Sequence, residues 1–246
     1  LWLVLSIIIF SYAYKLKSVS LSGAISGFLI GVIIFGSGSW SWIAPLVLFF
    51  ISSSVLSRLR GKVHSNRDLL QILANGGLPS MIALSYFFFP SDVALIAFLG
   101  SLAAANADTW ATEIGFFSKN NPKLIFSVKS VDKGYSGAIS LLGSIGSILG
   151  AFSIAISAAV IFDLYHLIAP LTLAGVFGSF FDSLLGRFFQ GKYKCKDCRL
   201  YTEKRIHCNA PANLDSGLAW IDNNCVNFLN TLMGASTMII LSSFYG

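Results

Sequence analysis

Charge is what this sequence has least of. Only 11% of its 246 residues are Asp, Glu, Lys or Arg, where a soluble domain carries about 25%. Such a chain cannot cover its surface with ionised groups, so lipid must cover part of it. Other absences narrow the choice further. No glycine-rich loop ends in Gly-Lys-Ser/Thr, which excludes a P-loop. No Ser-His-Asp arrangement is visible around the three histidines, and His64 and His166 are isolated loop residues. The long apolar runs do not alternate with polar residues, so a transmembrane β-barrel does not fit. No internal repeat is evident. The first apolar run lacks a basic start and a small-residue cleavage site, so it reads as a first helix rather than a cleavable signal. Basic residues are dispersed over separate loops, which argues against nucleic-acid binding.

What the chain does have is apolar length. Hydrophobic residues make up 55% of it and the mean hydropathy is +0.73. Its six prolines and 22 glycines are tolerated inside membrane helices. A spanning helix needs roughly 17–25 apolar residues. Candidate spans are 1–14, 20–36, 41–56, 69–89, 93–114, 137–161, 167–189 and 218–244. The expected fold is therefore an all-α, polytopic transmembrane helix bundle of about eight spans. It forms a single integral membrane domain over 1–246, with 191–214 as a loop subdomain within it and 61–68 as a short interfacial stretch.

The connections alternate in charge. Lys15 and Lys17 lie between the first two spans; Arg58, Arg60, Lys62 and Arg67 follow the third. Lys119, Lys123, Lys129 and Lys133 follow the fifth, and seven more basic residues from Arg187 to Arg205 follow the seventh. The intervening connections carry no Lys or Arg, so all 17 fall on one side. By the positive-inside rule that side faces the cytoplasm, or the equivalent side of an organelle membrane. The net charge of +6 suits topology and anionic lipid heads, and equally a polyanionic substrate such as a nucleotide or lipid phosphate.

Polar residues then occur where lipid contact would be costly. The fifth span ends with Asn106, Asp108, Thr109, Thr112 and Glu113. A charge at the centre of a span costs about 2.5–3.5 kcal/mol unless it is paired, hydrated or metal-bound. Asn106, Thr109 and Glu113 share one helical face, with Asp108 and Thr112 on the next stripe. The following loop holds Lys129, Lys133, Gly134, Ser136 and Gly137 just before a helix; such a stretch can cradle an anion, although a turn and an N-cap account for the same residues. The seventh span has a stripe of small residues that suits close packing, interrupted by Asp182 and ended by Arg187. Asp108, Glu113 and Asp182 together could hold Mg²⁺, which prefers carboxylates, waters and substrate phosphates. In the eighth span Trp220, Asn223, Asn224, Asn227 and Thr231 share one face, too polar for lipid. Cys195 and Cys198, with His207 and Cys208, resemble a structural zinc site; reduced thiols are the alternative. Cys225 lies in a span and reads as a packing residue.

Four strings carry a resemblance: NADTWATEIG at 106–115, VDKGYSGAISLLGS at 131–144, GSFFDSLLGR at 178–187, and the run from Cys195 through Glu203 and His207 to Asn227. In this order they resemble the transmembrane protein 19 family, which includes plant and cyanobacterial phytyl-phosphate kinases. More distantly they are similar to CTP-using membrane enzymes such as phosphatidate cytidylyltransferases and dolichol kinases. The resemblance implies transfer of a phosphoryl group from a nucleoside triphosphate, CTP or another, to phytyl monophosphate or a similar isoprenyl monophosphate. It implies Asp108 and Asp182 as catalytic metal ligands with Glu113 in support. Lys129, Lys133 and Arg187 would then neutralise phosphates. Asn106, Ser136, Asn223, Asn224 and Asn227 would line the head-group pocket. A cytidylyltransferase-like enzyme and a lipid-phosphate transporter are the competing readings, and the sequence leaves a monomer and a homo-oligomer equally open.

Overall fold

The computed structural model describes residues 2–15, 17–61 and 67–244. The interfacial stretch expected at 61–68, with Lys62 and His64, lies largely outside the described residues. Among the described residues seven α-helices carry the fold: α1 (Trp2–Lys15), α2 (Leu21–Leu59), α3 (Leu69–Phe88), α4 (Asp92–Gly115), α5 (Leu141–Phe162), α6 (Ile168–Phe188) and α7 (Asn223–Ser242). The short strands β1 (Lys123–Leu124) and β2 (Ala138–Ile139) pair in the α4–α5 loop; β3 (Lys192–Lys194), β4 (Tyr201–Thr202), β5 (Ile206–His207), β6 (Ala210–Pro211) and β7 (Asn213–Ser216) form the α6–α7 loop. Ser20, Asp68, Ser91, Ser140 and Asp222 each cap a helix by accepting a hydrogen bond from a backbone N–H of its first turn, satisfying donors that lipid could not.

The 39 residues of α2 are not one rod. Gly38 and Ser39 leave the helical region, with Ser39 at φ 61°. A straight helix of this length would separate its ends by roughly 58 Å. Yet Arg58 near its end donates to the Ser18 hydroxyl before its start, at 3.1 Å. Arg67 also touches both ends: its carbonyl accepts the Ser20 N–H and its guanidinium donates to Ser57. The chain therefore reverses at 38–39, where the sequence places the uncharged connection between its second and third apolar runs. Among the described residues, five helices are long and apolar enough to cross a membrane: α2, α4, α5, α6 with the preceding turn, and α7. The 14-residue α1 and the α3 helix, diluted by Gln71 and Asn75, fall below that measure, and α2 counts once despite its two arms. Length and apolarity thus establish fewer spans than the eight expected. The last helix also begins later than expected, at Asn223, because Asp222 caps it; residues 213–216 are strand, and Trp220 is an exposed loop residue 69% open to solvent.

Helix α4 is the axis. Every residue from Ile96 to Ala107 is buried, and α2, α3, α5, α6 and α7 all contact it. Small residues make this enclosure possible, since without a strong hydrophobic driving force between helices close backbone approach has to supply the attraction. Gly143, Gly146 and Gly150 of α5 ride on the carbonyls of Ala111, Trp110 and Asn106, where a Cβ would sit 3.0, 2.7 and 2.8 Å away. Gly175 and Gly178 of α6 meet Ala103 and Ala104 in the same way, and Gly234 of α7 meets Gly100 and Ala104. At the end remote from the basic loops, Trp42 stacks between Tyr86 and Phe98 at centroid distances of 4.5 and 4.6 Å. Short connections close that end: Pro90 between α3 and α4, and the left-handed Asp163 after α5.

The glycine contacts are separable from helix propensity. Gly150→Leu forces the side chain into the Asn106 carbonyl and the Trp110 ring, and should destabilise the protein by about 1–3 kcal/mol or more. Gly77→Ala in α3, with open space around it, should be neutral or stabilising by up to about 1 kcal/mol. Thermal unfolding in detergent checks both.

Candidate functional site

The long loops gather at one end of the bundle. Arg58 reaches Ser18, Arg60 lies over the Phe116 ring at 3.9 Å, and the Lys133 ammonium donates to the carbonyls of Phe116 and Ser118 at 3.0 and 2.7 Å. The Ser136 hydroxyl meets the Glu203 carboxylate, tying the α4–α5 loop to the α6–α7 loop. Beneath them lies a cavity of about 500 Å³. Its polar wall includes Asp108, Thr112, Lys133, Ser136, Asp182 and Glu203; its apolar wall, from α1, α2 and α3, includes Phe10, Ile30, Leu46, Phe49, Phe50 and Ile72.

Asp108 from α4 and Asp182 from α6 both line this cavity and interact electrostatically, and Glu203 bears on Asp182 as well. One carboxylate oxygen of Asp182, Oδ2, is buried without a hydrogen-bond partner. Among the described residues neither aspartate is in a salt bridge. Two enclosed carboxylates with an orphaned oxygen lack a compensating positive charge, and the donor set is of the hard oxygen type that Mg²⁺ accepts. Asp108 and Asp182 therefore fit a divalent cation. The other carboxylate bearing on Asp182 is Glu203.

Glu113 also lines the cavity but is already paired. Its oxygens accept from the Ser57 hydroxyl at 2.9 Å and the Arg60 guanidinium at 3.2 Å, with both ion-pair side chains nearly buried (12% and 6% exposed). Arg67 bears on it electrostatically, while burial lowers the pKa of that arginine. Asn106 is likewise committed to packing. Its amide donates to the Gly150 carbonyl and the Ser153 hydroxyl at 2.8 and 2.9 Å, and its oxygen accepts from Ser52. The helical spacing that joins Asn106 to Glu113 is thus real, but that face is turned to Ser52 and Ser57 of α2, and Asn106 stands outside the cavity.

The α4–α5 loop owes its path to glycine. Gly134 and Gly137 have φ of 89° and 80°, a region where L side chains are strained. At Gly137 a Cβ would also lie 2.5 Å from the Arg187 nitrogen, and at Gly186 one would lie 2.9 Å from the Gly137 nitrogen. Backbone packs on backbone here, which brings Ser136 to the cavity. Of the other expected site residues, Lys133, Asn223 and Asn227 line the cavity. Lys129 is exposed on the loop outside it, Asn224 is not part of its wall, and the Arg187 side chain has a buried, unpartnered Nη1 while its carbonyl accepts from Lys192. The thiols of Cys195, Cys198 and Cys208 and the His207 ring come together on the α6–α7 loop, all four donor atoms within 4.8 Å of one another.

Sequence reasoning did not place Glu203 or Lys192 at the site. Gln190 and Lys192 are 2% and 6% exposed, buried on entry to the loop. Lost solvation raises the Glu203 carboxyl, with Lys192 and Gln190 opposing. Burial lowers the Lys192 ammonium, and Glu203 opposes it. A solitary acid between Arg199 and Lys204 was the available signal for Glu203.

A bundle of apolar helices around a polar, one-sided cavity defines a polytopic integral membrane protein. Comparison with known proteins narrows this: the chain matches the family described as integral membrane protein DUF92 over residues 4–235, and belongs to it. It is 31% identical to an uncharacterized membrane protein of Methanocaldococcus jannaschii, covering 72% of this chain and 77% of that one. It is 30% identical to Protein PGR of Arabidopsis thaliana, over 98% of this chain and 95% of that one. Similarity extends to Protein VTE6, chloroplastic, of Arabidopsis thaliana, 24% identical over 63% of this chain and 40% of that one. No solved structure matches.

The Glu113–Arg60 pair makes a stability prediction. Glu113→Gln leaves Arg60 nearly buried without its counter-charge, and should cost on the order of 3 kcal/mol. Adding Arg60→Met should recover part of that loss. Melting temperatures of the single and double variants decide it; equal melting temperatures for wild type and Glu113→Gln would contradict the assignment.

Proposed function

We propose that the protein is a membrane phosphotransferase that moves a phosphoryl group from a nucleoside triphosphate to an isoprenyl monophosphate, phytyl monophosphate or a similar lipid, giving the diphosphate. The observation that carries this reading is the composition of the cavity: paired aspartates and a lysine on one wall, and Phe10, Ile30, Phe49 and Phe50 on the other. An acceptor with an apolar tail and an anionic head has both kinds of contact in one space. The motif resemblance to phytyl-phosphate kinases points the same way. The positive-inside pattern puts the basic loops, and so the nucleotide, on the cytoplasmic side or its organelle equivalent.

The chemistry asks little of acid–base groups. An oxygen of the acceptor phosphate attacks the γ-phosphorus, the bond to the β-phosphate oxygen breaks, and a nucleoside diphosphate leaves. The attacking oxygen is already anionic at neutral pH, so no general base is required, and catalysis is mostly positioning and charge neutralisation. Asp108 and Asp182 would hold Mg²⁺, which when bound neutralises and orients the nucleotide phosphates. Lys133, fixed against the carbonyl end of α4, places a cation at the cavity wall. Ser136, Asn223 and Asn227 offer hydrogen bonds to phosphate oxygens, and the apolar wall keeps water from the acceptor's tail.

Purified protein incubated with labelled CTP, ATP, GTP or UTP, Mg²⁺ and phytyl monophosphate should form phytyl diphosphate and release a nucleoside diphosphate. Asp108→Asn and Asp182→Asn should each lower kcat by at least about a hundredfold, with unchanged expression and melting behaviour. Release of pyrophosphate instead would identify a cytidylyltransferase. No turnover with any donor, together with lipid-phosphate flux in proteoliposomes, would identify a transporter.

A further inference from the structure

The loop between α6 and α7 holds a second cluster that the proposed reaction does not use. Cys195 and Cys198 lie on the β3–β4 hairpin; His207 ends β5, and Cys208 sits in the turn that leads to β6. Their four donor atoms all lie within 4.8 Å of one another. The His207 Nδ1 is 3.5 Å from the Cys198 sulfur and 3.3 Å from the Cys208 sulfur. A tetrahedral centre with Zn–S near 2.3 Å and Zn–N near 2.0–2.1 Å requires S···N edges of about 3.6 Å and S···S edges of about 3.8 Å. The spacing is that of ligands around a common centre.

The backbone is shaped for convergence. Neighbouring residues of a strand point to opposite faces, so His207 and Cys208 could not both ligate from one strand. Cys208 is not in the strand. It and Asn209 are the two residues of a β-hairpin turn, both at positive φ (52° and 57°), the conformation of a type I′ turn. That turn swings the Cys208 sulfur round to the His207 ring. On the other hairpin, Arg199 at φ 59° closes the Cys195–Cys198 loop, where the Arg199 N–H bonds the Cys195 carbonyl and the Cys195 N–H bonds the Leu200 carbonyl. Three sulfurs and one ring nitrogen gathered within 4.8 Å of one another are the donor set of zinc.

We propose that Cys195, Cys198, His207 and Cys208 bind a structural zinc ion that clips the two hairpins together and so holds Glu203 at the cavity. Glu203 lies on the chain between the hairpins, after β4 and before β5, and meets Ser136 and the cavity wall. Zinc binding displaces the three thiol protons and leaves a Cys₃His centre of net charge −1, flanked in sequence by Lys194, Lys196 and Arg199. Four protein ligands leave no open position, so the ion is a brace rather than a catalyst. The metal assignment stands apart from the proposed reaction; only its effect on turnover rests on that reading.

The test is metal analysis of the purified full chain. Wild-type protein should carry a single zinc ion per chain, and Cobalt(II) exchanged into it should show the visible bands and thiolate charge transfer of a tetrahedral site. Cys198→Ser and Cys208→Ser should lose both signals, while Cys225→Ser, outside the cluster on α7, should keep them. Chelation should raise amide exchange in 192–216 by about tenfold or more while α4 and α5 stay protected. Wild-type protein that holds no zinc and takes up no cobalt, that holds iron instead, or whose intact mass shows a Cys195–Cys198 disulfide would overturn the site. Zinc loss without faster exchange at 201–204 would overturn its role in placing Glu203. Zinc bound in a protein without phosphoryl transfer would support the site and count against the reaction.

Discussion

Everything in this molecule hangs on how closely other helices can approach α4. In lipid the hydrophobic effect does not press one helix against another, so contact must come from shape. Glycines on α5, α6 and α7 supply it, each lying against a carbonyl or an alanine of α4 where a Cβ would collide. The result is a helix buried from Ile96 to Ala107. Only such a helix can carry Asn106 and Asp108 without lipid contact. Asn106 repays its burial by bonding α5 and α2, and Asp108, two residues on, lines the cavity.

Polarity is confined to one end by the same geometry. The remote end closes with short turns and aromatic stacking; the near end has long loops stitched by Arg58, Arg60, Arg67 and Lys133. These cations hold the loops against one another. Arg60 is the clearest case, since it joins Glu113 of α4 and rests on the Phe116 ring just beyond. A basic face that would sort topology during insertion becomes a scaffold in the folded protein.

The reversal in α2 and the glycine contact between 137 and 186 do comparable work on the site's two walls. The first folds one long apolar stretch into two arms, so that Phe49 and Phe50 return to the cavity beside Phe10. The second lets a loop lie directly on the end of α6, so that Ser136 and Glu203 meet above Asp182. Neither needs a large buried area; each needs a residue without a side chain, or one tolerant of positive φ, at one position.

The sequence alone determined that the chain is a helical membrane protein, that its polar loops share one side, and that Asp108, Asp182, Lys133, Asn223 and Asn227 deserved notice. Those readings rest on composition, on apolar length and on the cost of burying charge, all of which are local. Tertiary structure alone decided which of them meet. Asn106 and Glu113 share a helical face, but that face turns to α2, where Ser52, Ser57 and Arg60 occupy them. Glu203 reaches Asp182 from more than twenty positions away in the chain. Helical spacing says which side chains point together; it cannot say toward what. The answer depends on glycine contacts and turn conformations that bring distant segments within bonding distance, and no single stretch of the chain contains that information.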